Sequence, residues 1–147
     1  MATLCAARVI GNTVDGPDGK STQALSGTDH LSDGAVQAMA KNGGVICLHF
    51  VTPDYIRAHH GTRQATVADW ADHAAYIRNL VGIDYVAMGP DYFPERGWHW
   101  IEGAGRAPLL RNIAREIVRR GFTEDEISKI LGGNLMRVFE KTWQSRL

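Results

Sequence analysis

Cysteine is almost missing from this chain: Cys5 and Cys47 are the two in 147 residues. They lie far apart and outside any Cys-x-x-Cys pair, which excludes a thiolate zinc module and a disulfide framework and makes a reduced, intracellular chain the expectation. An excess of one charge is missing as well. Lys plus Arg and Asp plus Glu both number 16, for a formal net charge of +0, so the basic bias of a dedicated nucleic-acid binder is absent. No apolar run approaches the roughly 18–20 residues of a membrane span. Residues 1–8 carry no basic stretch leading into an apolar core, so no targeting signal is expected and the cytoplasm is the expected compartment. The length is also short of the about 250 residues of a complete (β/α)8 barrel. Internal repeats, a dinucleotide-binding glycine fingerprint, a P-loop, Gly-x-Ser-x-Gly and His-Glu-x-x-His are all absent.

What is present is ordinary globular material, 44% hydrophobic and 22% charged. Residues 10–33 are rich in Gly, Asp, Ser, Thr and Pro and read as loop. Ser32 or Asp33 can cap a short helix bearing Val36, Met39 and Ala40, which Asn42-Gly43-Gly44 ends. The unbroken apolar run from Val45 to Phe50 has the pattern of a strand covered on both faces in a parallel sheet. Thr66 and Asp69 form a capping-box-like start for an amphipathic helix with Val67, Trp70, Ala74, Ile77 and Val81, closed by Gly82. A second buried strand, Tyr85 to Met88, runs into Gly89-Pro90-Asp91, so the unit is strand, helix, strand with a right-handed crossover expected. A long loop is expected from Tyr92 to Arg106. Pro108 then opens a helix that Gly121 stops, Thr123 and Glu126 cap a short one, and a last amphipathic segment follows Gly132-Gly133-Asn134. A helix-turn-helix over Pro108 to Leu131 is disfavoured, because Glu124, Asp125 and Glu126 would meet phosphates with negative charge.

Catalytic groups of α/β proteins collect where the carboxyl ends of parallel strands meet the loops. Asp91 leaves such a strand end through a sharp Gly-Pro turn, where a carboxylate can ligate a metal or take a proton from water; it also suits an ordinary turn. His49, near the end of the other strand, is a candidate metal ligand or a hydrogen-bonded core imidazole. His73 reads as a helix-packing residue, and His59-His60 as solvated. Two large aromatics in Trp98-His99-Trp100, outside any periodic segment, suggest a pocket lid, a contact surface, or packing on the core.

Four stretches together resemble a known family. They are Gly43-Gly44-Val45-Ile46, the helix from Val67 to Ile77, the strand and turn from Gly82 to Tyr92, and the tail Arg119 to Phe139 with its Leu131-Gly132-Gly133-Asn134-x-x-Arg137-Val138-Phe139 signature. In that order they resemble the C-terminal part of the membrane (renal) dipeptidase family, peptidase family M19, from about Leu25 to Trp143. The resemblance implies an α/β fold: the C-terminal part of a (β/α)8 TIM-barrel-like, amidohydrolase-like metal-dependent hydrolase, with a helical tail. It divides the chain into an irregular segment, 1–24, and a barrel portion, 25–147. The implied activity is hydrolysis of a dipeptide by hydroxide bridging two zinc ions. Asp91 matches the active-site aspartate after the last barrel strand, and the loop holding Tyr92, Trp98 and His99 becomes a wall of the substrate pocket. The family's His-x-Asp pair, bridging glutamate and two metal histidines lie upstream of the matching stretch, and no arginine stands near Asp29-His30 to hold a substrate carboxylate. The expectation is therefore a chain that binds no zinc tightly by itself and is inactive alone, with a homo-oligomer or a complementing chain as partner. The alternative is a non-catalytic α/β module that associates through open strand edges and the Trp98-His99-Trp100 loop.

Overall fold

The structure, a computed structural model, describes residues 31–52, 64–90 and 99–144. The irregular segment expected over 1–24 lies outside them.

Each helix begins and ends where its local chemistry directs. Ser32 caps α1 (Asp33–Lys41) by accepting a hydrogen bond from the Ala35 amide at 3.3 Å, and Gly43, with φ of 72°, turns the chain away after it. Helix α2 (Val67–Val81) opens in the expected capping box. The Thr66 hydroxyl accepts from the Ala68 amide, while the Thr66 amide and hydroxyl both donate to Asp69 Oδ2 at 2.8 and 2.9 Å. That pairing allows Asp69 to be buried. Pro108 sits in a tight turn that leads into α3 (Leu110–Arg119), and Thr123 with Glu126 boxes the start of α4 (Glu124–Ser128). The chain then bends at Gly132 and enters α5 (Asn134–Gln144).

Strands β1 (Ile46–Leu48) and β3 (Val86–Met88) pair in parallel, with Ile46 beside Val86, Cys47 beside Ala87 and Leu48 beside Met88; α2 lies between them in sequence. Two further strands, β2 (Val51–Thr52) and β4 (His99–Trp100), form a separate antiparallel ladder. The expected strand from Val45 to Phe50 is thus shorter than its apolar run. After Leu48 the chain exchanges one partner for another: the Phe50 carbonyl accepts from the Ile101 amide at 2.7 Å, and Val51 lies opposite Trp100. For the same reason the loop expected from Tyr92 to Arg106 contains a strand.

The two faces of the parallel pair are unequally covered. Ile46, Leu48 and Val86 join Val36, Trp70, Ala74, Ile77, Ile113, Ile117 and Ile130 in the main core. Each fully buried Leu, Ile or Phe contributes about 1.5–3 kcal/mol relative to exposure, so this helix-side cluster dominates stability. Val45 and Ala87 on the opposite face meet a smaller cluster with Val138 of α5, flanked by Cys47 and Leu135. Helices α2 and α3 are clasped by Arg120, which donates to Glu116 Oε1 at 2.9 Å and the Ala68 carbonyl at 2.8 Å and pairs with Asp72.

The start of each strand is gripped from α5. Asn134, 2% exposed, donates through Nδ2 to the Ile83 and Val86 carbonyls at 2.7 and 2.8 Å. Arg137 donates to the carbonyls of Gly43, Gly44 and Asp84 at 2.9, 3.1 and 2.7 Å, its guanidinium 5.8 Å from the Tyr85 ring centre. Between them the two side chains satisfy main-chain carbonyls that flank both strands and hold them at a common level.

Candidate active site

The opposite ends of the same strands form a rim, and its construction begins with a close approach. The Gly89 amide donates to the Leu48 carbonyl at 2.9 Å, carrying the pairing one step past β3. A Cβ on Gly89 would stand 2.8 Å from Cys47 Cβ, so only glycine lets the two strands run this close. The Leu48 carbonyl also accepts from Trp70 Nε1 at 3.4 Å, and the buried Trp70 ring meets Phe50 edge to face, centres 5.7 Å apart. The helix-side core is thereby fastened to the strand ends.

Above this level the antiparallel ladder ties together the segments that follow the two parallel strands. Gln64 Nε2 donates to the Trp100 carbonyl at 2.7 Å, the Glu102 amide to the Ala65 carbonyl at 2.8 Å, and the Val67 amide to the Glu102 carbonyl at 3.1 Å. Gly103, with φ of 91°, turns the chain here, and its carbonyl accepts from Asn112 Nδ2 at 2.8 Å. The entry to α2, the end of β1 and the approach to α3 are thus one hydrogen-bonded frame.

Among the residues singled out from the sequence, His49 is buried one step beyond the paired Leu48 and Met88, and His99 is exposed on β4. His73 is half-buried on α2. Asp91, Tyr92, Trp98 and the His59-His60 pair lie outside the described residues. Pro90, the last described residue before Asp91, is half-buried at the rim. Trp70, Gly89 and Gln64 shape the frame, and sequence reasoning assigned them no such part. Trp70 read as part of an apolar stripe, and Gly89 only as a turn; the Gly-Pro pair at a strand end was the one available signal.

Among the described residues, a marked electrostatic perturbation belongs to the helix layer. Hydrogen bonds from Arg119 at 2.9 and 2.7 Å, aided by Arg120, hold the Glu116 carboxyl down to about 2 from its ordinary 4.5. Asp125 and Asp84, at 2.9 and 3.0 Å, raise Lys129 in turn. These groups staple helices to their neighbours. Among the described residues no three His, Cys, Asp or Glu side chains gather as a set able to hold a metal ion.

The family profile described as membrane dipeptidase (peptidase family M19) matches residues 21–146. The chain belongs to that family. An uncharacterized dipeptidase of Schizosaccharomyces pombe is 32% identical over 126 residues, covering 82% of this chain and 29% of its own length. Dipeptidase 3 of Rattus norvegicus is 30% identical over 124 residues, covering 80% and 23%. Among solved structures, an amidohydrolase from Pseudomonas aeruginosa superposes with a TM-score of 0.70 at 18% identity over 82% of this chain and 42% of that one. A Rhodobacter sphaeroides metallo peptidase, solved with a phosphinate mimic of the dipeptide L-Ala-D-Ala, gives 0.67 at 21% identity over 79% and 32%. The chain therefore spans less than a third of the dipeptidases it matches in sequence.

The membrane dipeptidase fold explains the architecture. The described elements are part of an amidohydrolase-like (β/α)8 barrel followed by a helical tail: β1 and β3 are neighbouring barrel strands, α1, α2 and α3 the helical layer, and α4 and α5 the tail. The family is one of metallopeptidases, and among the described residues no group of three His, Cys, Asp or Glu side chains could hold a metal ion. Among the described residues no helix is long and apolar enough to cross a membrane.

Proposed function

We infer that this chain is the C-terminal segment of a dipeptide-hydrolysing barrel and acts only when the metal-bearing part of such a barrel is joined to it. The observation that carries the reading is the family match over residues 21–146, supported by the strand end at Gly89-Pro90, which Asp91 follows in sequence. Asp91 serves there as the acid–base carboxylate that takes a proton from the attacking water and returns one to the leaving amine. Tyr92, Trp98 and His99 belong to the pocket wall, with His99 on the ladder that closes this side. Activation of water on metal is the task of the portion that this chain does not span. The substrate class is dipeptides, in keeping with the ligand of the Rhodobacter sphaeroides relative.

Metal analysis and dipeptide hydrolysis by the purified 147-residue chain test the reading. No stoichiometric zinc and no turnover are expected. Two tightly held zinc ions, with hydrolysis lost in Asp91→Asn, would show that the chain carries a complete centre.

A further inference from the structure

Several arginines are satisfied within the chain. Arg78 pairs with Glu126, Arg120 with Asp72 and Glu116, and Arg137 donates to three carbonyls. Helix α3 departs from that habit. Arg111, Arg115 and Arg119 follow one another at intervals of four, so at about 1.5 Å of rise per residue they stand about 6 Å apart along one ridge. All three are exposed, on the side turned away from the buried Ile113 and Ile117. Glu116 is the acidic residue of α3, and Arg119 and Arg120 take it. Among the described residues no carboxylate pairs with Arg111 or Arg115. Their neighbours one turn away along the ridge are like charges, which destabilise a helix in isolation. Such crowding becomes favourable where an anion stands opposite.

We propose that the ridge of Arg111, Arg115 and Arg119 docks an acidic segment of another protein, with carboxylates at every second residue of an extended stretch. Alternate residues of such a stretch lie about 6.6–6.8 Å apart on one side, close to the interval of the ridge. Each guanidinium meets a carboxylate through two parallel N–H donors and keeps its charge at any working pH. Val118, 58% exposed and one turn from Arg115, adds an apolar contact at the edge of the ridge. Other anions fit this surface less well. A lipid surface calls for an apolar face beside the cations, whereas Ile113 and Ile117 are buried in the main core. A nucleic acid calls for a basic field of longer reach, but the formal net charge is +0, and Glu124 and Asp125 stand exposed just past the end of α3. The ridge shares no residue with the rim, so this surface goes beyond the dipeptidase reading and stands or falls without it.

The test titrates the full 147-residue chain into a short, fluorescently labelled peptide of alternating Glu and Thr and follows its anisotropy. Saturable binding is expected, weakening as salt is raised and lost when Gln replaces Glu in the peptide. Arg111→Gln/Arg115→Gln should weaken it roughly tenfold or more. Lys41→Gln/Lys141→Gln, which removes the same charge from exposed positions elsewhere, should leave it unchanged. The arginine variant also relieves the like-charge crowding, so its melting temperature should hold or rise, which separates lost binding from lost folding. No binding of the Glu and Thr peptide, or equal weakening in the arginine and lysine variants, overturns the proposal. So does tighter binding to oligothymidylate or to phosphatidylserine vesicles than to the peptide. Zinc content and dipeptide hydrolysis take no part in these readouts, so they judge the functional reading separately.

Discussion

The two ends of the parallel strand pair are built by different means. At one end Asn134 and Arg137 of α5 grip five carbonyls flanking β1 and β3, using residues separated by about fifty to ninety positions in sequence. At the other, glycine permits close contact, an indole donates to a strand carbonyl, and a four-residue ladder ties the outgoing segments together. The gripped end is satisfied by side chains that can do nothing else there. The rim is held by main-chain pairing, by the Trp70 indole and the Gln64 amide, and by the absence of a side chain at Gly89. Barrel enzymes divide labour in this way, with stability at one end of the strands and activity at the other.

That division can be broken by substitution. Trp70→Ala should have the largest effect, because it removes a fully buried ring from the main core together with the indole that donates to the Leu48 carbonyl. A loss of about 3–5 kcal/mol is expected from the urea midpoint, and a smaller loss with unchanged exchange at the rim would separate the core from the site. Asn134→Ala leaves two carbonyls without a donor and should cost about 2–4 kcal/mol. Its effect should be global, so hydrogen exchange confined to the 83–86 turn would contradict the view that this end sets the frame. Gly89→Ala forces a Cβ against Cys47 and should cost about 1–3 kcal/mol. Here exchange at the Ile101 amide should quicken well before the strand starts open. The smallest effect is that of acid on the helix layer. Glu116 is held near 2 when folded against 4.5 unfolded, so its contribution is present above pH 4.5 and disappears as pH falls from about 4.5 through about 2. The melting temperature should decline across that window less steeply in Glu116→Gln than in the parent chain.

Much of the frame is readable in the sequence because it is local. The caps at Ser32, Thr66 and Thr123 and the left-handed turns at Gly43, Gly82 and Gly121 are decided within a few residues, and each stands where the pattern predicts. The ladder of β2 and β4 escaped because its strands are two residues long and draw their partners from positions almost fifty residues away. Neither segment has enough residues for alternation to show. The grip of Asn134 and Arg137 was visible only as letters of a family signature; which carbonyls they serve depends on where α5 lands. For the site, the sequence offered a strand end followed by Gly89-Pro90-Asp91; the structure describes that strand end as far as Pro90, and Asp91 lies outside the described residues.

The ladder between β2 and β4 bears on how such a protein can diversify. Segment 53–63 departs from Thr52 and returns at Gln64, and both anchors are held against the His99–Trp100 strand. With its ends fixed by hydrogen bonds to a common element, doubling the length of that segment would add only about 0.6 kcal/mol of closure entropy. Length changes between these two anchors therefore cost little while β2 and β4 keep their register.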